Sequence, residues 1–168
     1  MKRYIALILL IFPLLNELNA QDTIQYINPG RVNSPNQLKK PYVILISADG
    51  FRSDLADKYQ AKNLLKFRDQ GVNAAYMLAS FPSLTFPNHY TIVTGLYPAH
   101  HGLVDNSFYD PSRKEFYSLG KKSAVQDSSW YGGTPLWVLA EQEGMLTASS
   151  YWVGSEAAIQ GVRPTYYY

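Results

Sequence analysis

Apolar residues in this chain fall into continuous runs set off by short polar punctuation. Residues 42–47, Tyr-Val-Ile-Leu-Ile-Ser, follow Pro41 as an unbroken apolar, β-branched run. Such a run predicts a strand buried on both faces, as in a parallel sheet. It stops at Ala48-Asp49-Gly50. Ser53 then reads as the cap of a helical stretch towards Phe67, irregular near Ala61 and terminated by Gly71. Residues 72–78 and 146–152 predict two further strands. Residues 87–94 predict a short helix, with Pro87 in its first turn and Gly95 at its end. Phe108-Tyr109 and Phe116-Tyr117 flank a turn-forming Asp110-Pro111-Ser112-Arg113-Lys114 and predict a hairpin. Thr134-Pro135 opens a helix over 136–143, closed by Gly144. Strands separated by helices predict an α/β fold: a largely parallel sheet flanked by helices. Three such strands are fewer than the roughly four to six of a usual sheet. The chain also ends on the aromatic Tyr166-Tyr167-Tyr168, so the expectation is a truncated domain.

The start of the chain has its own pattern. Lys2 and Arg3 precede an apolar run over 4–15, and a short polar stretch ends in Leu18-Asn19-Ala20. Residues 1–20 read as a secretory signal peptide, which implies an exported protein, periplasmic or extracellular. A membrane span needs about 20 apolar residues, so no stable membrane anchor is expected. Residues 21–40 are polar, with Pro29-Gly30 and Ser34-Pro35-Asn36, and read as an exposed lead-in.

Composition narrows the function. The 168 residues carry 15 basic and 13 acidic side chains, a formal charge of +2, too small to suggest a nucleic-acid duplex as partner. No cysteine is present, which excludes disulfides, thiolate metal sites and thiol catalysis. Three histidines are few for a metal enzyme. Nothing in the sequence sets the oligomeric state.

Two segments carry candidate chemistry. Asp49 follows a predicted strand directly, at the edge where open α/β sheets bind ligands. A carboxylate there suits a divalent metal; it equally suits a helix cap or a turn. Thr85 lies just ahead of the 87–94 helix, whose N-terminus favours an anion or an ionised Thr85 oxygen. A threonine hydroxyl needs a base or a metal to become a nucleophile, and no base stands nearby in sequence. The alternative is that Thr85 only caps the helix. Asn106 is a neutral donor in a loop, suited to a phosphoryl oxygen or simply to a turn.

Together these residues resemble a known family. The Ile44-Leu45-Ile46-Ser47-Ala48-Asp49-Gly50-Phe51-Arg52 stretch looks like its first metal-binding strand. The segment from Phe81 through Thr85-Phe86-Pro87-Asn88-His89-Tyr90 to Pro98 looks like its nucleophile segment. The match continues through His101-Gly102-Leu103-Val104-Asp105-Asn106, Trp152, Gly154-Ser155-Glu156 and Gly161-Val162-Arg163-Pro164-Thr165. The chain thus resembles the nucleotide pyrophosphatase/phosphodiesterase family, type I phosphodiesterases of the alkaline phosphatase superfamily, over about 41–168. The resemblance implies the N-terminal part of an alkaline-phosphatase-like domain.

By that resemblance, Asp49 is a zinc ligand and Thr85 the nucleophile, with its oxygen on the same zinc. Asn106 binds a non-bridging phosphoryl oxygen, and Phe86 flanks the substrate's base or other leaving group. The complete domain is expected to use two Zn2+ and a threonyl-phosphoryl intermediate. His89, His100 and His101 do not match the family's zinc histidines and are given structural roles. The remaining zinc ligands are expected beyond Tyr168, so this chain holds the nucleophile half and is expected to be inactive alone. Val153 stands where many members have proline, and Tyr166, Tyr167 and Tyr168 are candidates for a second base-stacking aromatic. The implied function is exported zinc-dependent hydrolysis of nucleotide or related phosphodiester and pyrophosphate bonds. The alternatives are phospholipid-headgroup or phosphonate cleavage within the same superfamily, or a non-catalytic fragment. A sulfatase is disfavoured, since its Cys/Ser-x-Pro-x-Arg box is absent.

Overall fold

The structure is a computed structural model and describes residues 24–168. The signal-peptide reading falls outside the described residues. In chain order the elements are β1 (Tyr26–Ile27), α1 (Leu55–Lys58), α2 (Lys62–Gln70), α3 (Thr85–Thr94), α4 (Pro98–His101), β2 (Ser107–Asp110), β3 (Glu115–Ser118), α5 (Lys122–Val125), α6 (Leu136–Gln142), β4 (Ala148–Ser149) and β5 (Tyr166–Tyr167). The α/β class holds, with mixed sheets. One sheet has the order β1-β5-β4, in which β1 pairs with β5 antiparallel and β4 pairs with β5 in parallel. The other is the expected hairpin, β2 against β3, with Phe108 opposite Tyr117.

Two expected strands do not form. Residues 42–47 and 72–78 carry no ladder pairing, and their side chains face solvent, Tyr42 at 96% and Ile44 at 82% exposure. The reason is the one that makes such runs apolar. A strand meant to be covered on both faces gains stability only from paired neighbours and from layers above and below. Among the described residues no segment provides them. The third expected strand survives as the two-residue β4.

The helices follow their sequence signals closely. The stretch towards Phe67 breaks into α1 and α2 around Ala61, and Gly71 closes α2. Ser53 is not its cap; Asp54 occupies that position without a side-chain cap bond. α6 covers 136–142 after Pro135. In α3, Pro87, Tyr90 and Val93 recur every three residues and are all buried, so one face of the helix enters the core. Gly95 ends α3 at φ 68°, the left-handed conformation that glycine adopts without a Cβ clash.

The core lies within the second half of the chain. Tyr90, Val93, Leu103, Tyr117, Trp130, Tyr131, Trp137, Val138, Val153 and Ile159 pack together, so Val153 is a core side chain. Aromatic edges organise this core. Tyr90 meets Tyr131 edge-on at 5.3 Å, and Tyr117 meets Trp130 edge-on at 5.5 Å. The Tyr131 hydroxyl donates to the Val125 carbonyl at 2.8 Å, so in the 3.0 Å contact between hydroxyls Tyr117 is the donor. Burial pushes the Tyr117 phenol up to about 12. Gly154 passes so close to the rings of Tyr90 and Tyr131 that an added Cβ would lie 3.1 and 3.2 Å from them.

Residues 24–40 of the lead-in are largely exposed but docked. Asn28 donates to the Pro164 carbonyl at 2.7 Å, and Leu146 N–H donates to Asn33 Oδ1 at 2.7 Å. A single carboxylate joins the lead-in, α6 and both edges of the β4–β5 pairing. Glu141 Oε1 accepts from the backbone N–H and hydroxyl of Thr147 at 2.9 and 2.7 Å. It also accepts from the N–H and hydroxyl of Thr165 at 2.8 and 2.7 Å. Its Oε2 pairs with Arg31 at 3.2 Å, and the side chain is 6% exposed. Glu141→Ala leaves these donors and the guanidinium without their acceptor. The expected loss is about 3–5 kcal/mol, read as a lower urea midpoint, with a smaller loss in Glu141→Gln, which keeps one carbonyl oxygen.

Candidate active site

The site is assembled around the first turn of α3. Leu84 is the N-cap, in extended conformation, and Thr85 is the first helical residue. The capping alternative for Thr85 is therefore corrected. Its hydroxyl does not bond a backbone N–H of its own helix; it donates to Asp49 Oδ2 at 3.0 Å. The expected helix began at Pro87, but it starts two residues earlier, because proline's missing N–H is harmless throughout the first turn.

Asp49 reaches Thr85 from the turn that follows the 42–47 run, across 36 residues of sequence. Asp49 is exposed and Thr85 half-buried, so the pair faces solvent. Two hard oxygens thus converge, one on a carboxylate and one on a hydroxyl. Oxygens bound to one tetrahedral zinc at about 2.0–2.1 Å lie about 3.3 Å apart, so a 3.0 Å separation fits two ligands of one ion. Among the described residues no group of three or more His, Cys, Asp or Glu side chains is placed to hold a metal. The fit is that of a partial ligand set.

Asn106 joins the same turn. It lies in the bend before β2, and its backbone carbonyl accepts from Leu119 N–H at 2.9 Å. Its side-chain oxygen accepts from Phe86 N–H at 2.9 Å. Asn106 thereby satisfies an orphan donor of the helix start from a distant loop. With the carbonyl half so engaged, the NH2 half of the amide is the part left to donate to a ligand. Phe86 is half-buried, its ring 6.3 Å from Tyr117. Tyr166 and Tyr167 form β5; Tyr167 stacks on Tyr26 at 5.3 Å, and Tyr168 stacks on Tyr151 at 5.8 Å.

Two further polar residues of α3 reach other segments. Asn88 Oδ1 accepts from Ser80 N–H at 3.0 Å, which pins the loop leading to Thr85. Thr91 Oγ1 stands 3.0 Å from His101 Nε2. Leu103 N–H donates to His101 Nδ1 at 3.2 Å, so the ring proton sits on Nε2 and points at Thr91. His101 is fully buried, and burial pushes its imidazole down to about 4. His100, next to it, is exposed. The sequence placed Asp49, Thr85, Phe86 and Asn106; it did not identify Asn88 or Thr91 as anchors, although both are polar residues inside an otherwise amphipathic helix.

The family model for type I phosphodiesterase / nucleotide pyrophosphatase matches residues 43–168. A pyrophosphatase/phosphodiesterase of Schizosaccharomyces pombe, described as uncharacterised, is 41% identical over 138 residues, 82% of this chain and 28% of its own length. Ectonucleotide pyrophosphatase/phosphodiesterase family member 3 of Rattus norvegicus is 42% identical over 137 residues, 79% of this chain and 15% of its own. Among solved structures, murine ectonucleotide pyrophosphatase/phosphodiesterase 5 was captured as an inactive threonine-to-alanine variant in complex with AMP. It superposes with a TM-score of 0.68 at 32% identity, over 73% of this chain and 33% of that one. The chain spans a third or less of the length of these relatives.

The buried His101 sets a pH dependence. Its folded value lies near 4 and the unfolded value near 6.5, so between the two the unfolded chain binds a proton that the folded chain refuses. Stability is complete above pH 6.5 and falls as the pH drops towards 4, by on the order of 3 kcal/mol. Thermal midpoints between pH 7.5 and 4.5 are expected to show this slope. His101→Gln is expected to be less stable at pH 7.5 but flatter across the range.

Proposed function

The chain belongs to the type I phosphodiesterase / nucleotide pyrophosphatase family, and from that membership we propose that it carries the nucleophile half of an exported zinc-dependent phosphodiester hydrolase acting on nucleotides. The observation that carries the reading is the pairing of Thr85 Oγ1 with Asp49 Oδ2 at the start of α3. Thr85 sits where the helix dipole favours a negative oxygen, and its proton already points at a carboxylate. The Thr85 oxygen gives up its proton, attacks phosphorus and forms a P–O bond as the bond to the leaving oxygen breaks, and the departing oxygen takes up a proton from water. Water then cleaves the threonyl-phosphoryl ester and regenerates the hydroxyl. The Asn106 NH2 group donates to a non-bridging phosphoryl oxygen, where charge grows in the transition state. Phe86 offers an aromatic face to the base. Asp49 and Thr85 would hold one of two zinc ions, which when bound supply Lewis-acid charge that favours the alkoxide and neutralises phosphate.

The AMP complex of the murine relative, obtained with a threonine replaced by alanine and described as inactive, supports a nucleotide ligand and an essential threonine. Relatives named ectonucleotide pyrophosphatase/phosphodiesterase and venom phosphodiesterase support an exported protein. The test uses the protein expressed from its own gene and p-nitrophenyl thymidine monophosphate. Thr85→Ala is expected to abolish turnover, and full activity in that variant rejects the reading. Asn106→Ala is expected to lower kcat by about 10²–10³-fold, as loss of a transition-state donor does. Preference for choline-lipid or phosphonate substrates over the nucleotide would move the substrate class within the superfamily.

A further inference from the structure

The helix turn that carries Thr85 also carries a histidine with no part in the chemistry above. His89 lies one helical turn after Thr85, so its ring folds back to the start of α3. Its Nδ1 stands 2.8 Å from the Thr85 carbonyl and its Nε2 2.9 Å from Ser47 Oγ. A carbonyl oxygen only accepts, so Nδ1 carries the proton and Nε2 accepts from the Ser47 hydroxyl. Trp152 holds the backbone behind the ring. Its indole N–H donates to the His89 carbonyl at 3.2 Å, and the two rings meet edge-on at 5.7 Å.

Ser47 lies two residues before Asp49. Among the described residues, the hydrogen bonds that tie 41–50 to the remainder of the molecule, beyond the local turn bond from Phe51 N–H to the Ala48 carbonyl, are Ser47–His89 and Asp49–Thr85. Both end on α3, four residues of chain apart. A single hydrogen bond between solvent-facing groups does not offset the entropy of ordering the backbone behind it. A second anchor two residues away restricts the same segment and leaves the carboxylate little freedom. We propose that His89 is a positioning residue: by bridging Ser47 to the Thr85 carbonyl it holds the Asp49 carboxylate against the Thr85 hydroxyl. This deepens the catalytic reading of Thr85 and rests on it for its kinetic consequence. The Ser47–His89 bridge also accounts for a serine, rather than another aliphatic residue, at the end of the 42–47 run.

The test has a spectroscopic and a kinetic arm, both on the protein expressed from its own gene. Nitrogen NMR of the labelled imidazole is expected to show the Nδ1–H tautomer for His89, with an Nε2 resonance that shifts in Ser47→Ala. An Nε2–H tautomer whose resonances ignore Ser47→Ala overturns the bridge. With p-nitrophenyl thymidine monophosphate, His89→Ala and Ser47→Ala are each expected to lower kcat tenfold or more, with KM within twofold. The double variant is expected to be no slower than His89→Ala, because both remove one bridge. His89→Asn, which restores a donor towards the Thr85 carbonyl, is expected to recover part of kcat, and His100→Ala, at the exposed histidine beside His101, to leave it unchanged. Unaltered kcat in both single variants overturns the proposal. If Thr85→Ala stays active, the catalytic reading falls by itself, and the tautomer still decides whether the bridge exists.

Discussion

One ten-residue helix governs the geometry of the site, because nearly every polar side chain on it is bound to a different segment of the chain. Thr85 holds the turn at Asp49, and Phe86 N–H is held by Asn106. Asn88 holds Ser80 in the loop before the helix, and Thr91 meets His101 in α4. The buried face, Pro87, Tyr90 and Val93, fixes the rotation of the helix in the aromatic core. Once that rotation is set, the polar face has one orientation, and the loops must come to it. Close packing makes this arrangement intolerant of shifts, since Gly154 already lies against the rings of Tyr90 and Tyr131.

The same logic recurs at the other end of the core. Glu141 on α6 gathers Thr147, Thr165 and Arg31 through one carboxylate. These donors flank the parallel pairing of β4 with β5, which is only two residues long. So short a ladder cannot stand on its own hydrogen bonds. A buried carboxylate with several donors supplies the missing connection, and it draws in the lead-in as well.

Local signals were well expressed in the sequence. The hairpin over 107–118, the break near Ala61, the start of α6 at Pro135 and the stop of α3 at Gly95 all follow from turn and cap chemistry acting within a few residues. The candidate residues Asp49, Thr85 and Asn106 were legible from the motif and from their position at the ends of elements. The strands at 42–47 and 72–78 were legible only as buried strands. Their formation depends on neighbours that must be supplied from elsewhere, and no described residue supplies them. Periodicity reports what a segment can bury, not whether a partner is present.

The sequence by itself determined the family resemblance, the local elements and the residue types at the site, because each depends on contacts a few positions apart. Only the tertiary structure decided how those residues meet. That Thr85 donates to Asp49 and not to its own helix, that Asn106 caps α3 from 20 residues away, and that His89 spans 42 residues to reach Ser47 are choices among hydrogen-bonding partners. Each hydroxyl, amide or imidazole can satisfy several acceptors and donors. Chain order does not rank them. Burial of the aromatic face of α3 does, by fixing which partners come within 3 Å.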